Sequence, residues 1–219
     1  MGRRLHHAER CPRCRLHTAV CMCDRIPTLS VATALVVVMH LREVNKPTAS
    51  APLAMAALPN HVWLIHGVQD KPVDLREHVP PDRRGLLLFP SDGARVLDAA
   101  LLAEDPRPVT LVVPDGSWRQ ASKAARRLPG ADTLEPVVLA AGPPTRYRLR
   151  REPMPGGLAT MEAIARAFGV LEGPDVRHAL EALFDEMVER TLEMRQATGP
   201  VGGPDRVRQQ PTPADAIDE

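Results

Sequence analysis

Four consecutive residues, Asp115-Gly116-Ser117-Trp118, combine side chains that suit a small-molecule site. They follow the apolar segment 108–113 and open a helical pattern, which puts Asp115 at the carboxyl end of a predicted strand. Gly116 lets a ligand approach the backbone, and the first N–H groups of a helix attract anions. Trp118 offers a flat face on which a base stacks. The structural alternative makes Asp115 a helix cap and Trp118 a core residue.

All four cysteines lie within thirteen residues, as Cys11-Pro-Arg-Cys14 and Cys21-Met-Cys23. Four thiolates at this spacing form a closed tetrahedral zinc site, which stabilises a fold and does no chemistry. His17 is a spare candidate ligand. Two disulfides or four independent thiols are the alternatives. Because the N-terminus has no signal-peptide pattern, we expect a reducing cytoplasm, where disulfides are rare, and therefore a zinc knuckle.

The distribution of charge, rather than its total of +1, bears on nucleic-acid binding. Residues 119–151 contain eight basic side chains against two acidic ones, and residues 171–195 contain seven acids against three arginines. A basic face attracts phosphates even on a nearly neutral protein. The solvated faces of two helices explain the same pattern equally well.

Apolar segments alternate with helical patterns along the chain. Strands are predicted at 32–40, 62–66, 85–89, 108–113 and 136–139, and helices at 52–58, 94–103, 116–128, 158–171 and 178–195. This alternation predicts an α/β fold with a mostly parallel sheet covered on both faces. Ligands bind beyond the carboxyl ends of such strands, which favours the segments 89–93 and 114–119.

Composition divides the chain into an N-terminal zinc-knuckle segment (1–28), an α/β domain (29–196) and a disordered tail (197–219) rich in Pro, Gly and charge. The longest apolar run, 31–39, is too short to span a membrane. The chain has neither a Gly-x-Gly-x-x-Gly pattern nor a Walker loop, which argues against dinucleotide or ATP binding.

The motifs together resemble the DTW-domain family, whose signature is Asp-x-Thr-Trp; here Ser117 stands in the place of Thr. The cysteine spacing is similar to the family's knuckle. A histidine-and-glutamate segment resembles His40-Leu-Arg-Glu43 and continues into Lys46-Pro47-Thr48, although Ala49-Ser50 replaces the usual Asn-Thr. Residues 147–150 and 158–165 also match, so the resemblance covers roughly residues 10 to 195.

The resemblance implies a tRNA-uridine aminocarboxypropyltransferase. Such enzymes move the 3-amino-3-carboxypropyl group of S-adenosylmethionine to N3 of a uridine and release 5′-methylthioadenosine. The implied fold is SPOUT-like, with a C-terminal trefoil knot, which is a rare exception to unknotted topology. Because knotted enzymes often dimerise, the resemblance is also compatible with a homodimer.

The same resemblance implies roles for individual residues. Asp115 is the catalytic residue, as general base at N3 or as the ligand of the cofactor's ammonium group. Glu162 is either functional or a stabiliser of its helix's first turn. The expected cofactor-binding residues are Phe89, Pro90, Ser91, Val113, Pro114, Gly116, Ser117, Trp118, Leu158, Ala159 and Thr160. The expected RNA contacts are His40, Glu43, Arg119, Lys123, Arg126, Arg148 and Arg150. The zinc ligands are Cys11, Cys14, Cys21 and Cys23.

Two other functions fit the same motifs. An RNA methyltransferase on this fold would share the cofactor pocket but release adenosylhomocysteine. A non-catalytic zinc-knuckle protein would bind RNA without binding the cofactor.

Overall fold

The computed structural model describes residues 10–46, 48–68, 72–149 and 156–197. At its centre is a six-stranded sheet in the order β2-β1-β5-β3-β6-β4, in which every neighbouring pair is parallel. The strands are β1 (Ala34–His40), β2 (His61–His66), β3 (Arg84–Leu88), β4 (Arg95–Val96), β5 (Val109–Asp115) and β6 (Glu135–Val138). The predicted α/β fold with a parallel sheet is confirmed.

In the described part of the chain, five α-helices surround this sheet: α1 (Ala51–Ala57), α2 (Ala99–Ala103), α3 (Trp118–Arg127), α4 (Thr160–Leu171) and α5 (Pro174–Ala197). The prediction of one helix over 94–103 is wrong in its first half, because Arg95–Val96 pair with β6 as an edge strand. Asp98 then caps α2 by accepting a hydrogen bond from the Leu101 N–H at 2.8 Å. A two-residue strand is too short to show a periodicity.

The central strands are buried on both faces, which explains their continuous apolar sequences. From β1, Leu35 and Val37 pack in a core with α1, α4 and α5, whereas Val36 and Val38 pack in a second core with α3. Side chains alternate across a strand, so α3 covers one face and α4 and α5 cover the other.

The N-terminal cysteine segment packs on the α5 side of the sheet. Cys14, Leu16, Val20, Met22 and Ile26 are buried in the same core as α4 and α5. Two arginines hold its backbone: Arg190 of α5 donates to the Cys21 carbonyl at 3.1 Å, and Arg13 donates to the Cys23 carbonyl at 3.0 Å. The cysteine segment is thus continuous with the domain core.

The trefoil knot stays a prediction, because residues 150–155, between β6 and α4, lie outside the described residues. Residues 198–219, which carry nearly all of the predicted disordered tail, also lie outside them. Within the described part of the chain, no helix is both long and apolar enough to cross a membrane.

Candidate functional site

Asp115 is the last residue of β5 and is nearly buried, with 8% of its surface exposed. The Thr160 hydroxyl, at the start of α4, donates a hydrogen bond of 2.5 Å to its Oδ1. Asp115 lies opposite Met39 in the sheet register, on the face that α4 covers. This contact ties the end of the central strand to the start of α4.

Ser117, and not Asp115, caps helix α3. The Ser117 Oγ accepts from the Gln120 N–H at 3.4 Å, and the Gln120 side chain accepts from the Ser117 N–H at 2.7 Å, which forms a capping box. A Cβ on Gly116 would lie 3.0 Å from the Gln120 Cβ. A side chain at position 116 would therefore crowd Gln120 and make it shift, a constraint that the sequence alone did not indicate.

A cavity of about 450 Å³ opens where the loops after β3, β5 and β6 meet the start of α4. Its volume falls within the range of about 300–1,000 Å³ that is typical of small-molecule sites. Every expected cofactor-binding residue lines it except Ser91 and Ala159. Asp115 is not itself in the lining; its hydrogen-bond partner Thr160 is.

Sequence reasoning missed part of this lining, namely Leu88, Ala121, Val137, Val138, Leu139, Gly156 and Ala163. The carboxyl-end rule would have found the residues at the end of β6, because that predicted strand belongs to the same parallel sheet. The walls are mostly apolar. The rings of Phe89 and Trp118 form one of them, with centroids 5.9 Å apart.

Glu162 is a buried carboxylate, 3% exposed, that anchors the chain around the cavity. It accepts hydrogen bonds from the Arg146 N–H at 2.7 Å, the Ala159 N–H at 2.9 Å and the Thr145 hydroxyl at 2.5 Å. The bond to Ala159 satisfies one N–H at the start of α4. Glu162 thus ties the segment at Thr145 and Arg146 to the start of α4, where Thr160 lines the cavity.

His40 ends β1 beside His66, which ends β2, and the two rings pack edge to face with centroids 5.0 Å apart. Burial, and then the Arg42 guanidinium, lower the pKa of the His40 imidazole below its ordinary value. Burial, and then His40, lower the pKa of His66. Glu43 is buried and forms an ion pair with Lys46 at 2.6 Å. The sequence analysis did not single out His66, although it ends a predicted strand.

The expected RNA contacts do not form one continuous face. Arg119, Lys123 and Arg126 project from the exposed side of α3. Arg148 forms an ion pair with Glu189 of α5, on the other side of the sheet. Arg150 lies outside the described residues. The structure brings the α3 residues together and separates them from Arg148.

The four cysteines meet at one point, with all their sulfurs within 4.8 Å of one another and none in a disulfide. The Sγ–Sγ distances are 3.3 Å for Cys11–Cys23 and 3.8 Å for Cys14–Cys21. Tetrahedral zinc with bonds of about 2.3 Å separates its sulfur ligands by about 3.8 Å, so the group fits zinc. His17 instead accepts from the Ala19 N–H at 3.0 Å and stands apart from the cluster.

The thiol pKa values reflect this crowding. Burial, and then the neighbouring thiols, raise the pKa of the Cys23 thiol to about 12. At Cys11, burial also acts to raise the pKa, but hydrogen bonds from the Cys14 backbone and the Cys23 thiol outweigh it and lower the pKa to about 6. A bound dication would favour the thiolate form at all four positions.

Comparisons with known proteins show which family this sequence is similar to. A family model described as the DTW domain matches residues 8–192. The tRNA-uridine aminocarboxypropyltransferase 2 of Mus musculus is 29% identical over 185 residues, which cover 78% of this chain and 60% of the mouse protein. The protein of that name from Drosophila melanogaster is 28% identical over 78% of this chain and 70% of its own length.

A more distant relative, tRNA-uridine aminocarboxypropyltransferase A of Arabidopsis thaliana, is 25% identical over 84% of this chain and 81% of the plant protein. The chain spans only 60% of the length of the mouse relative. No solved structure matches it significantly. Since the family model covers most of the sequence, the chain belongs to the DTW-domain family.

Proposed function

We propose that this chain transfers the 3-amino-3-carboxypropyl group of S-adenosylmethionine to N3 of a uridine in tRNA. The observation that carries this proposal is the cavity at the carboxyl ends of β3, β5 and β6, bounded by the turn of the DTW signature. Relatives named tRNA-uridine aminocarboxypropyltransferase that align with most of this chain support it.

The cavity suits the adenosine part of the cofactor. Its walls include apolar side chains at Leu88, Phe89, Val137, Leu139 and Leu158, which exclude water around a purine and ribose. When bound, S-adenosylmethionine supplies a sulfonium that makes the adjoining carbons electrophilic. A site that exposes the γ-carbon rather than the methyl group to the nucleophile selects this reaction by positioning alone.

Asp115 is the group that we assign to the proton on uridine N3. A uridine N3 attacks a carbon only after it loses its proton, and a carboxylate within reach accepts it. The Thr160 hydroxyl orients this carboxylate from the cavity side through the 2.5 Å bond. In the alternative role, the same carboxylate binds the α-ammonium of the transferred group.

Other residues of the site fix the shape of the cavity. The capping box of Ser117 and Gln120 fixes the start of α3 on one side of the cavity. Glu162 fixes Ala159 and the residues around Arg146 on the other side.

Arg119, Lys123 and Arg126 supply cations for phosphates of the tRNA backbone. The zinc knuckle serves as a structural clip in the reducing cytoplasm.

Incubation of the purified protein with isotopically labelled S-adenosylmethionine and unfractionated tRNA tests the proposal. We expect mass spectrometry to find aminocarboxypropyl-uridine in the tRNA and 5′-methylthioadenosine in solution. An Asp132→Asn variant, changed at an exposed aspartate, is the matched control for changes at Asp115. Release of adenosylhomocysteine would identify a methyltransferase instead. Binding of tRNA without any binding of the cofactor would overturn an enzymatic function.

A further inference from the structure

The His40–His66 pair occupies the carboxyl edge of the sheet next to the candidate site. Met39, which precedes His40, lies opposite Asp115 in the register of β1 and β5. Val36 and Val38 of the same strand pack against α3, so His40 points to the α3 side by alternation. His66 is its register partner and points the same way.

The charges around this pair are mostly positive. The 3₁₀-helix that follows β1 (Leu41–Glu43) and the residues after it contribute Arg42, Glu43 and Lys46, and α3 contributes Lys123. Glu43 is already bound to Lys46 at 2.6 Å. Within the described ranges of the chain, neither Arg42 nor Lys123 has a carboxylate partner. This surface therefore offers two exposed cations to an anionic ligand.

One ring nitrogen of the histidine pair also lacks a hydrogen-bond partner among the described residues. The Nδ1 of His40 accepts from the Arg42 N–H at 3.1 Å, which leaves its Nε2 as the N–H of the neutral ring. The Nε2 of His66 is buried without a hydrogen-bond partner in the described structure. Buried polar atoms are nearly always paired in proteins, so a purely structural contact does not account for this one.

We propose that His40, His66 and Lys123 form the subsite for one backbone phosphate of the RNA, beside the target uridine. The inference rests on the proposed function, because it places the phosphate next to the Asp115 turn. A phosphate oxygen accepts hydrogen bonds from imidazole N–H groups and from an ammonium. Its negative charge would also pair with the cations Arg42 and Lys123, which have no carboxylate partner among the described residues. An uncharged uracil ring would leave these cations uncompensated.

A linked protonation follows from this geometry. In the free protein, burial is the largest cause that lowers the pKa of both histidines, and Lys123 adds to it. A phosphate at the pair favours the imidazolium form, so binding raises both pKa values and takes up protons; protonation of His40 at Nδ1 also replaces its hydrogen bond from the Arg42 N–H. Affinity for RNA must then increase as the pH falls from 8 to 6, and the gain is lost as the pH rises again through the pKa values of the complex.

Binding of unfractionated tRNA at pH 6 and pH 8 tests the proposal, with fluorescence anisotropy as the readout. We expect the wild-type protein to bind about tenfold more tightly at pH 6, which corresponds to a pKa increase of about one unit. His66→Gln and His40→Gln should each remove most of that gain. His61→Gln is the matched control, because His61 begins β2 at the opposite edge of the sheet and should leave the gain unchanged.

Lys123→Gln gives a second, independent readout. Loss of one phosphate contact should lower the slope of log affinity against log salt concentration by about 0.7 to 0.9. An NMR titration of the histidine rings completes the test: millimolar uridine 5′-monophosphate should raise the pKa of His40 and His66, and uridine should not.

The outcomes separate this inference from the proposed function. If His40→Gln and His66→Gln bind tRNA like the wild-type protein at both pH values, the phosphate subsite is wrong. S-adenosylmethionine affinity, measured on each variant by calorimetry, should stay at the wild-type value and shows that the fold is intact. A pH-linked tRNA affinity without any aminocarboxypropyl-uridine would retain the subsite and remove the proposed activity.

Discussion

A cavity lies at each end of the parallel strands, here called the carboxyl edge and the amino edge of the sheet. The larger cavity is the poorer candidate for a ligand site. The cavity at the carboxyl edge measures about 450 Å³. The cavity at the amino edge, where β3 and β6 begin, measures about 640 Å³. The larger cavity is lined by five arginines, Arg76, Arg83, Arg84, Arg95 and Arg107.

The arginines of the amino edge are already bound within the protein. Arg84 is nearly buried and contacts Glu135 at 2.6 Å and the Leu101 carbonyl at 2.8 Å. Arg95 bridges Glu104 and Glu135. Arg76 and Arg107 form ion pairs with Asp74 and Asp105, and Arg83 donates hydrogen bonds to the neutral Thr110 hydroxyl and to the Ala32 carbonyl. This edge is a network of satisfied charges.

The difference teaches that size and charge are weak indicators of a site. The carboxyl edge combines apolar walls with a few convergent polar groups, which is the usual composition of a small-molecule pocket. Its polar residues include Ser117 and Thr160, and the nearby Asp115 carboxylate is reached through Thr160. Changes at this edge should affect catalysis, and changes at the amino edge should affect stability.

The largest effect is expected for Asp115→Asn. Loss of a general base lowers kcat by about 10² to 10⁴-fold, and the amide preserves the shape of the side chain. Calorimetry of S-adenosylmethionine binding separates its two possible roles: an unchanged Kd indicates a base, and a weakened Kd indicates a ligand of the α-ammonium. Asp132→Asn should keep full activity. An active Asp115→Asn enzyme would remove Asp115 from the chemistry.

Removal of one ligand from the proposed zinc knuckle measures what the cysteine cluster contributes to stability. Cys14→Ser removes a buried ligand from the cluster and should lower the free energy of unfolding by about 3 kcal/mol, since metal binding contributes directly to folding. Elemental analysis should give about one zinc per wild-type chain and less in the variant. Thermal unfolding measures the loss. A metal-free wild-type protein of equal stability would contradict a structural zinc site.

Arg84→Met addresses the amino edge directly. The change removes one of the two ion-pair partners of Glu135. Glu135 keeps Arg95 as a partner and is partly exposed. We therefore expect a loss of about 2 kcal/mol in unfolding free energy, below the about 3–5 kcal/mol of a fully buried pair. Urea denaturation measures it. The kcat of the folded variant should equal that of the wild type; a specific loss of cofactor binding would show that the larger cavity is functional.

Filling the smaller cavity should weaken cofactor binding and leave stability nearly unchanged, which is the reverse of the result expected for Arg84→Met. Ala163 of α4 lines the cavity, and a phenylalanine there would occupy part of its volume. Ala163→Phe should weaken S-adenosylmethionine binding at least about tenfold, or about 1.4 kcal/mol, with little effect on the melting temperature. Val170→Phe, at an exposed position of the same helix, is the control. Unchanged affinity in Ala163→Phe would place the cofactor elsewhere.

The two edges also differ in how far the sequence predicts them. Apolar segments and carboxyl-end reasoning located Asp115, Trp118 and the loops after β3 and β5 that line the cavity, because these depend on one strand and its adjoining turn. The family resemblance added Val113, Leu158 and Thr160. Strand order, the pairing of Arg148 with Glu189 and the charge network of the amino edge join residues distant in sequence. Periodicity carries no information about such contacts, so they required the structure.

The smallest predicted effect concerns the helix cap that forms one wall of the carboxyl edge. Ser117→Ala removes the acceptor for the Gln120 N–H and should lower stability by about 1 kcal/mol. Ser117→Thr restores the family's residue and retains a hydroxyl that accepts the same bond, so it should stay near the wild-type value. Because the capping box also fixes the cavity wall, Ser117→Ala should raise the KM for S-adenosylmethionine. The Asp98 cap of α2 has no such link, since neither Asp98 nor α2 is among the described residues that line the cavity. Asp98→Ala therefore provides the comparison: an equal loss of stability with an unchanged KM. If both variants leave the KM unchanged, the start of α3 stabilises the fold without shaping the site.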